Sequence, residues 1–272
     1  MLSLVELQRA ARVLDARLRG QRLQAVVQLD DHSVALETYG SGAGRSYLRL
    51  SCRPQCARVS LFESRPPAPS APGAFGLLLR ARLSGARLGG VTAADDDRRL
   101  ELRLRTRDGD CDLLLEILGA RANVYLLDAS ARVVGALRSL GARSELAIGG
   151  PWSPPESRPR SAGEDRFAQE SDDRFLFAIE ALYADRERRE ELAALARGLG
   201  KVLRREQKSL DRKLARLADE LEAARAATGL KRRGELLKGV LGAVRRGEER
   251  VLALDHETGE EVAIPLDPAK TP

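Results

Sequence analysis

The sequence predicts an α+β protein: an antiparallel, β-rich N-terminal domain with two helices, then a long coiled-coil helix and a small α/β tip. About eight short strand-like runs separated by turn residues lie between positions 23 and 128. Residues 149–163 are rich in Gly, Pro and Ser. Leucines then recur at near-heptad spacing from Leu192 to Leu221. Many strands with few helices favour antiparallel sheets, and a heptad seam favours a coiled coil.

The first predicted helix has a clear start and end. Ser3 followed three residues later by Glu6 is the pattern of a capping box, and apolar residues recur at three- and four-residue intervals from Leu4 to Leu18. Gly20 follows and predicts the helix end.

The strand candidates fall on both sides of a second helix, predicted at about Ala74–Leu83. They are Leu23–Leu29, Ser33–Thr38, Ser46–Ser51, Ala57–Glu63, Arg87–Thr92, Arg98–Arg105, Cys111–Leu118 and Asn123–Asp128. A glycine-rich piece at 40–44 opens no helix and predicts a hairpin turn, and the Pro-rich run 66–72 predicts an internal linker.

Four segments follow from these patterns. We predict an N-terminal domain over 1–150, a linker over 151–171, a coiled-coil helix over 172–229 and a middle or tip segment over 230–272. The tip holds a shorter helix at about Gly234–Arg246 and a hairpin of Arg250–Leu254 with Glu261–Leu266. A single helix cannot bury a leucine seam, so Leu192–Leu221 predicts a homodimer or another partner helix.

Positive charge is concentrated in the helical part. The chain has a net charge of +6, and residues 185–250 contain 19 Lys and Arg against 12 Asp and Glu. Such a local excess predicts contact with a phosphate backbone, although a solvated helix of mixed charge accounts for it equally well. The residues predicted to make that contact are Arg204, Arg205, Lys208, Arg212, Lys213 and Arg216.

Most enzyme and cofactor patterns are missing from the sequence. The two histidines, His32 and His256, have no metal-ligand spacing, and neither a phosphate-binding P-loop nor a dinucleotide fingerprint occurs. Cys52 and Cys56 lack a second pair, which disfavours zinc. We therefore predict no enzyme activity and no cofactor. The odd count of three cysteines, without an 18-residue apolar run or a signal peptide, predicts a cytoplasmic protein with no membrane contact.

The order of several short motifs resembles the NFACT N-terminal domain, also known as the fibronectin-binding protein A N-terminal domain. After the opening helix come Leu48–Ser51 and Ala57–Leu61, then Phe75–Arg80 behind the Pro-rich run. Asp97–Arg98, Glu116–Gly119 with Asn123, Pro151–Pro155, Gly234–Leu237 and Leu266–Pro268 follow in the family's order. Each motif is weak alone, whereas their order is specific. The matched regions are about 1–155 and 230–272.

The resemblance implies a function and a site. NFACT proteins bind a large ribosomal subunit blocked by peptidyl-tRNA and recruit tRNA, so that the stalled chain is extended without mRNA in ribosome-associated quality control. The family's tRNA-binding residues correspond to Asp97, Arg98, Glu116, Ile117, Leu118, Gly119 and Asn123. An arginine can donate two hydrogen bonds to a phosphate or a base edge. The implied partners are tRNA and the large subunit with its rRNA.

The sequence also departs from the family. The predicted linker leaves no room for a helix-hairpin-helix module, Ala120-Arg121-Ala122 replaces a family motif before Asn123, and the sequence stops at Pro272 where further modules normally follow. A reduced homologue that only binds RNA or the ribosome is therefore an alternative. The family's domain also resembles formamidopyrimidine-DNA glycosylases in fold, but Leu2-Ser3 stands where those enzymes have Pro-Glu. A fibronectin-binding adhesin is the third alternative.

Overall fold

The computed structural model describes residues 1–40, 44–69, 71, 73–155 and 162–270. Parts of four predicted segments lie outside the described residues: 41–43 of the glycine-rich turn, 70 and 72 of the Pro-rich run, 156–161 of the linker, and 271–272 of the tip segment. The chain divides into two compact units, Met1–Leu192 and Ala193–Pro272.

Helix α1 (Leu4–Leu18) opens the first unit with the predicted capping box. The Ser3 hydroxyl accepts from the Glu6 amide at 3.1 Å, and the Glu6 carboxylate accepts from the Ser3 amide at 2.8 Å. Leu7 and Leu14 of α1 are fully buried, which confirms the apolar face that the sequence predicts.

Nine strands form one antiparallel sheet within the described residues. Their order across the sheet is β4-β3-β2-β1-β5-β6-β7-β8-β9. The strands are β1 (Arg22–Asp30), β2 (Ser33–Gly40), β3 (Gly44–Ser51), β4 (Arg58–Phe62), β5 (Arg87–Ala93), β6 (Arg99–Thr106), β7 (Gly109–Glu116), β8 (Asn123–Asp128) and β9 (Val133–Ala136). The predicted α+β class is confirmed, and β9 is the one strand of this sheet that the sequence patterns miss.

Helix α2 (Ala74–Leu83) packs beside β1, with the bounds that the sequence predicts. Arg80 donates from Nε to the carbonyl oxygen of Val26 at 2.7 Å, and the Gly76 amide donates to the Gln28 side chain at 2.8 Å. These bonds satisfy polar groups of β1. Among the described residues, β1 and β5 are register partners at a single pair, Arg22 with Arg87.

Helix α3 (Asp172–Val240) begins as part of the first unit. Phe175, Leu176, Ile179 and Tyr183 are buried in the main hydrophobic core. The same turns place two glutamates against three arginines from β3, β4 and the turn between them. We call this group the buried ion cluster; its members are Arg49, Arg53, Arg58, Glu180 and Glu187.

The second unit holds the rest of α3 and the hairpin of β10 (Arg250–Leu254) and β11 (Glu261–Pro265). Arg232 of the helix pairs with Asp255 at 2.5 Å and Glu257 at 3.3 Å, and Ala253 and Ile264 are buried. The predicted separate helix at Gly234–Arg246 is wrong. α3 continues to Val240 and a 3-10 turn follows, because packing of half-buried apolar residues outweighs the modest helix cost of Gly234.

Candidate RNA-binding surface

The predicted site residues of the N-terminal domain meet at one end of the sheet. Strand β6 begins where β7 ends, and Arg99 is the register partner of Glu116. Beyond that pair, the Ile117 amide donates to the Arg98 carbonyl oxygen at 2.9 Å. The Asp97–Arg98 turn and the Glu116–Gly119 segment, far apart in sequence, are therefore neighbours.

Asp97 shapes its turn rather than facing solvent. The residue is 4% exposed, and Oδ1 accepts from the Arg98 amide at 2.7 Å while the Asp97 carbonyl oxygen accepts from the Arg99 amide at 2.9 Å. Such short aspartate turns fix the direction of the following residue. Arg98 is half-buried, and its Nη1 lies 3.5 Å from the carbonyl oxygen of Leu2.

Glu116 is a buried anion with a buried cation beside it. Arg143 Nη1 donates to both carboxylate oxygens of Glu116, at 3.0 and 2.9 Å, and the two side chains are 0% and 2% exposed. Burial raises the pKa of Glu116, while the charge of Arg143 acts in the opposite direction. Arg143 also donates to the Ser153 carbonyl oxygen at 2.6 Å, which ties β7 to the segment that leaves the domain.

The backbone turns sharply after β7. Ile117 is fully buried and Leu118 nearly so, and Gly119 then takes a left-handed conformation with φ of +65°. Glycine is the residue best suited to that conformation. A 3-10 turn over Gly119–Arg121 follows, with Arg121 exposed.

Asn123 holds this turn through Arg138. The Asn123 side chain accepts from the Arg138 amide at 2.8 Å and donates to the Arg138 carbonyl oxygen at 3.0 Å. Arg138 in turn donates from Nη1 to the carbonyl oxygens of Ala120 and Ala122, at 2.9 and 2.7 Å. The turn is thus fixed from both ends.

The seven predicted residues therefore divide into two groups. Arg98 and the Gly119 turn reach the surface, whereas the other side chains lie in the interior: Asp97, Glu116, Ile117, Leu118 and Asn123. The sequence patterns missed Arg138 and Arg143. Each is one arginine among many, and the buried acceptors that single them out come from other strands.

The six cations predicted on the helix are all exposed in the second unit. Arg204, Lys208, Arg212 and Arg216 recur every four residues, which places them along one side of α3. Arg216 also pairs with Glu220 at 3.1 Å. The leucines of the seam are exposed too, from 46% at Leu217 to 69% at Leu203.

The cysteines have the environment of core residues. Cys52 and Cys56 are free and fully buried, and burial raises the pKa of the Cys52 thiol to about 12. Among the described residues, three or more potential metal ligands do not gather anywhere. In the same part of the chain, every helix is too short or too polar to cross a membrane.

Comparison with known proteins finds relatives of this chain in sequence and in fold. A protein named Rqc2 homolog RqcH from Streptococcus suis is 31% identical over 134 residues, which cover 47% of this chain and 24% of that protein. A Bacillus subtilis protein of the same name is 28% identical over 126 residues, covering 44% and 22%. The chain thus matches about a quarter of the length of these relatives.

Solved structures agree on the fold. The N-terminal part of the fibronectin/fibrinogen-binding protein of Streptococcus suis has a TM-score of 0.53 and 26% identity, covering 58% of this chain and 62% of that one. The N-terminal domain of the fibronectin-binding protein PavA from Streptococcus pneumoniae has a TM-score of 0.53 at 23% identity, covering 66% and 72%. The latter supports the fold alone.

The family model described as NFACT N-terminal and middle domains matches residues 4–173 and 159–272, which together span nearly the whole sequence. The predicted resemblance is confirmed, and the chain belongs to the NFACT family.

Proposed function

We propose that this protein binds tRNA and the obstructed large ribosomal subunit, and so supports mRNA-independent tailing of stalled nascent chains in the cytoplasm. Membership of the NFACT family and the name Rqc2 homolog RqcH of its relatives support this role. The proposal assigns no catalytic residue, because peptide-bond chemistry would belong to the ribosome.

One observation carries the tRNA part of the proposal. The Asp97–Arg98 turn and the Gly119 turn lie side by side, joined by the hydrogen bond from the Ile117 amide to the Arg98 carbonyl oxygen. Loops of fixed shape with exposed arginines suit recognition of single-stranded RNA regions. In this proposal Arg98 and Arg121 contact RNA, while buried Asp97 and Glu116 hold the two turns in place.

The exposed cations along one side of α3 account for the part of RNA binding that does not depend on base sequence. Cations at four-residue intervals stand about 6 Å apart along a helix, close to the spacing of successive phosphates. We assign Arg204, Lys208, Arg212 and Arg216, with Arg205 and Lys213 beside them, to rRNA or tRNA phosphates. Replacing one of these cations by a neutral residue should weaken the binding of different RNA sequences to the same extent and reduce the dependence of binding on salt.

The decisive experiment is co-sedimentation with purified large subunits that carry or lack peptidyl-tRNA, followed by sequencing of the bound tRNA. Arg98→Ala is the test variant, and Arg103→Ala, an exposed arginine further along β6, is its matched control. Selective pelleting of wild type and control, with one tRNA enriched and with Arg98→Ala weaker by about 1–3 kcal/mol, would support the proposal. Equal behaviour of all three proteins without an enriched tRNA would refute it.

Two alternatives make different predictions. A reduced RNA-binding homologue would pellet with subunits without supporting tail synthesis in a reconstituted reaction. Fibronectin binding is favoured by the similarity to the fibronectin/fibrinogen-binding protein of Streptococcus suis. Immobilised fibronectin would then retain the protein, and added tRNA would not release it. A glycosylase is disfavoured, because Leu2-Ser3 stands where those enzymes have Pro-Glu and Leu2 is fully buried.

The leucine seam requires a partner under this proposal. We propose that Leu192–Leu221 packs against the same helix of a second copy or against another helix, since its leucines are 46–69% exposed. Light scattering would show a dimer for the first case, and substitution of Leu210 and Leu214 by Asp would dissociate it. A strict monomer would contradict the dimer and leave another helix as the proposed partner.

A further inference from the structure

The strongest unassigned feature near the proposed RNA surface is the guanidinium group of Arg138. It follows β9 and lies half-buried beside the Gly119 turn. Its two described hydrogen bonds, to the carbonyl oxygens of Ala120 and Ala122, both use Nη1. Nη2 and Nε have no hydrogen-bond partner among the described residues and can still donate.

Hydrogen bonds hold this arginine in place, and no ion pair among the described residues offsets its charge. The Asn123 amide bonds both the N–H and the carbonyl oxygen of Arg138, which locks the backbone from which the side chain extends. Burial and then the positive charge of Arg138 lower the pKa of His32, so the β1–β2 turn lies within the field of this guanidinium. Among the described residues, Arg138 forms no ion pair, in contrast to Arg143 with Glu116.

We infer that Arg138 is an additional RNA-contacting residue, which braces the Gly119 turn with Nη1 and donates to a backbone phosphate with its other nitrogens. A guanidinium can serve both purposes because its five N–H donors point in fixed, different directions. Asn123 becomes the positioning residue for Arg138. This inference rests on the proposed function, because it adds a phosphate contact to the same surface.

The closing experiment measures binding of bulk tRNA at several salt concentrations. Arg138→Gln removes the charge but keeps an amide donor for the turn, and Arg138→Lys keeps the charge. Arg132→Gln is the matched control: it is also an arginine bonded to a backbone carbonyl oxygen, that of Gly149, but it lies beyond the opposite end of β8. Arg98→Ala reports on the proposed function itself.

We expect Arg138→Gln to bind tRNA about five- to twentyfold more weakly, with a log–log salt slope shallower by about 0.7–0.9, as for one lost phosphate contact. The lysine variant should retain the slope, and Arg132→Gln should match wild type. Weaker binding with an unchanged slope would overturn the phosphate contact of Arg138 and leave it only the role of bracing the Gly119 turn. Normal binding by Arg138→Gln, with Arg98→Ala impaired, would overturn this inference alone. A wild type that binds no tRNA would overturn the proposed function as well.

Trp152 is the single tryptophan and reports whether each variant folds. If Arg138→Gln does not fold, phenylglyoxal modification of the native protein replaces it. Bound tRNA should then protect Arg138 and leave Arg132 reactive in the peptide map. Equal reactivity of Arg138 with and without tRNA would overturn the inference.

Discussion

The two parts of α3 use the same residue types in opposite ways. Before Leu192, the helix buries Leu176 and Glu180 against the sheet. After it, leucines such as Leu203 are about two-thirds exposed, and glutamates such as Glu220 pair only along the helix surface. Periodicity alone therefore identifies a helix but not what its apolar stripe contacts. Among the described residues, the first part packs against the main core, whereas the leucines from Leu192 to Leu221 are exposed.

The buried ion cluster explains how charged residues can be so deeply placed. Arg58 is fully buried and bonds both Glu180, at 3.1 Å, and Glu187, at 2.7 Å. Ser60 donates to Glu180 at 2.6 Å, and Arg49 pairs with the same carboxylate at 2.9 Å. Burying an ion costs several kcal/mol unless its bonds are replaced, and here they are replaced by opposite charges from another element.

The largest predicted effect removes one partner from that cluster. Arg58→Ala leaves two buried glutamates short of a cation and should destabilise the first unit by about 3–5 kcal/mol. Urea unfolding followed by Trp152 fluorescence measures this. The matched control is Arg186→Ala, whose exposed pair with Glu190 on the same helix should contribute less than about 1 kcal/mol. Equal losses from both variants would contradict the contrast between buried and exposed pairs.

The leucines give the second test of the comparison. Leu176 is 1% exposed and Leu203 is 69% exposed. Leu176→Ala should leave a cavity and cost about 2–5 kcal/mol in the unfolding of the first unit. Leu203→Ala should change helix stability by less than about 0.5 kcal/mol at concentrations where the protein is monomeric. A large loss from Leu203→Ala, growing with protein concentration, would indicate that a second copy covers the seam.

These contrasts mark what the sequence could and could not predict. Strand bounds, α2 and the capping box follow from local patterns, and the structure confirms them within a residue or two in most elements. The burial of Glu116 and Asn123 does not follow, because it depends on Arg143 and Arg138, which are distant in sequence. The length of α3 is a similar case: the sequence patterns predict a separate helix at Gly234–Arg246, whereas packing near its end lets α3 continue to Val240.

A carboxylate that forms no ion pair among the described residues supplies the third test. Asp112 on β7 is half-buried near Glu101, and burial, with the charge of Glu101, raises its pKa to about 6. By contrast, the pKa of Glu180 is lowered: burial alone would raise it, but Arg58 and Arg49 outweigh that cost. The two carboxylates should therefore respond to pH with opposite signs.

Asp112 binds its proton more tightly in the folded state, so stability falls as pH rises from about 4 to 6. Asp112→Asn should stabilise the protein by about 1 kcal/mol at pH 7, after allowance for solvent screening, and have no effect below pH 4. The Glu180 contribution runs the other way: it is present at neutral pH and is lost as pH falls through its lowered pKa. Unfolding curves of wild type and Asp112→Asn between pH 3.5 and 7.5 measure both trends, and a gain that persists below pH 4 would contradict the assignment.

The smallest expected effect belongs to the exposed pair of Arg216 and Glu220. Arg216 precedes Glu220 by four residues, the less favourable orientation in a helix, and both side chains are more than half exposed. A double-mutant cycle by thermal unfolding should give a coupling of about 0.3 kcal/mol or less. The same Arg216→Ala variant should nevertheless flatten the salt dependence of RNA binding. A coupling above about 1 kcal/mol without any change in RNA binding would show that this arginine serves the helix, and the difference between the two parts of α3 would then be one of degree.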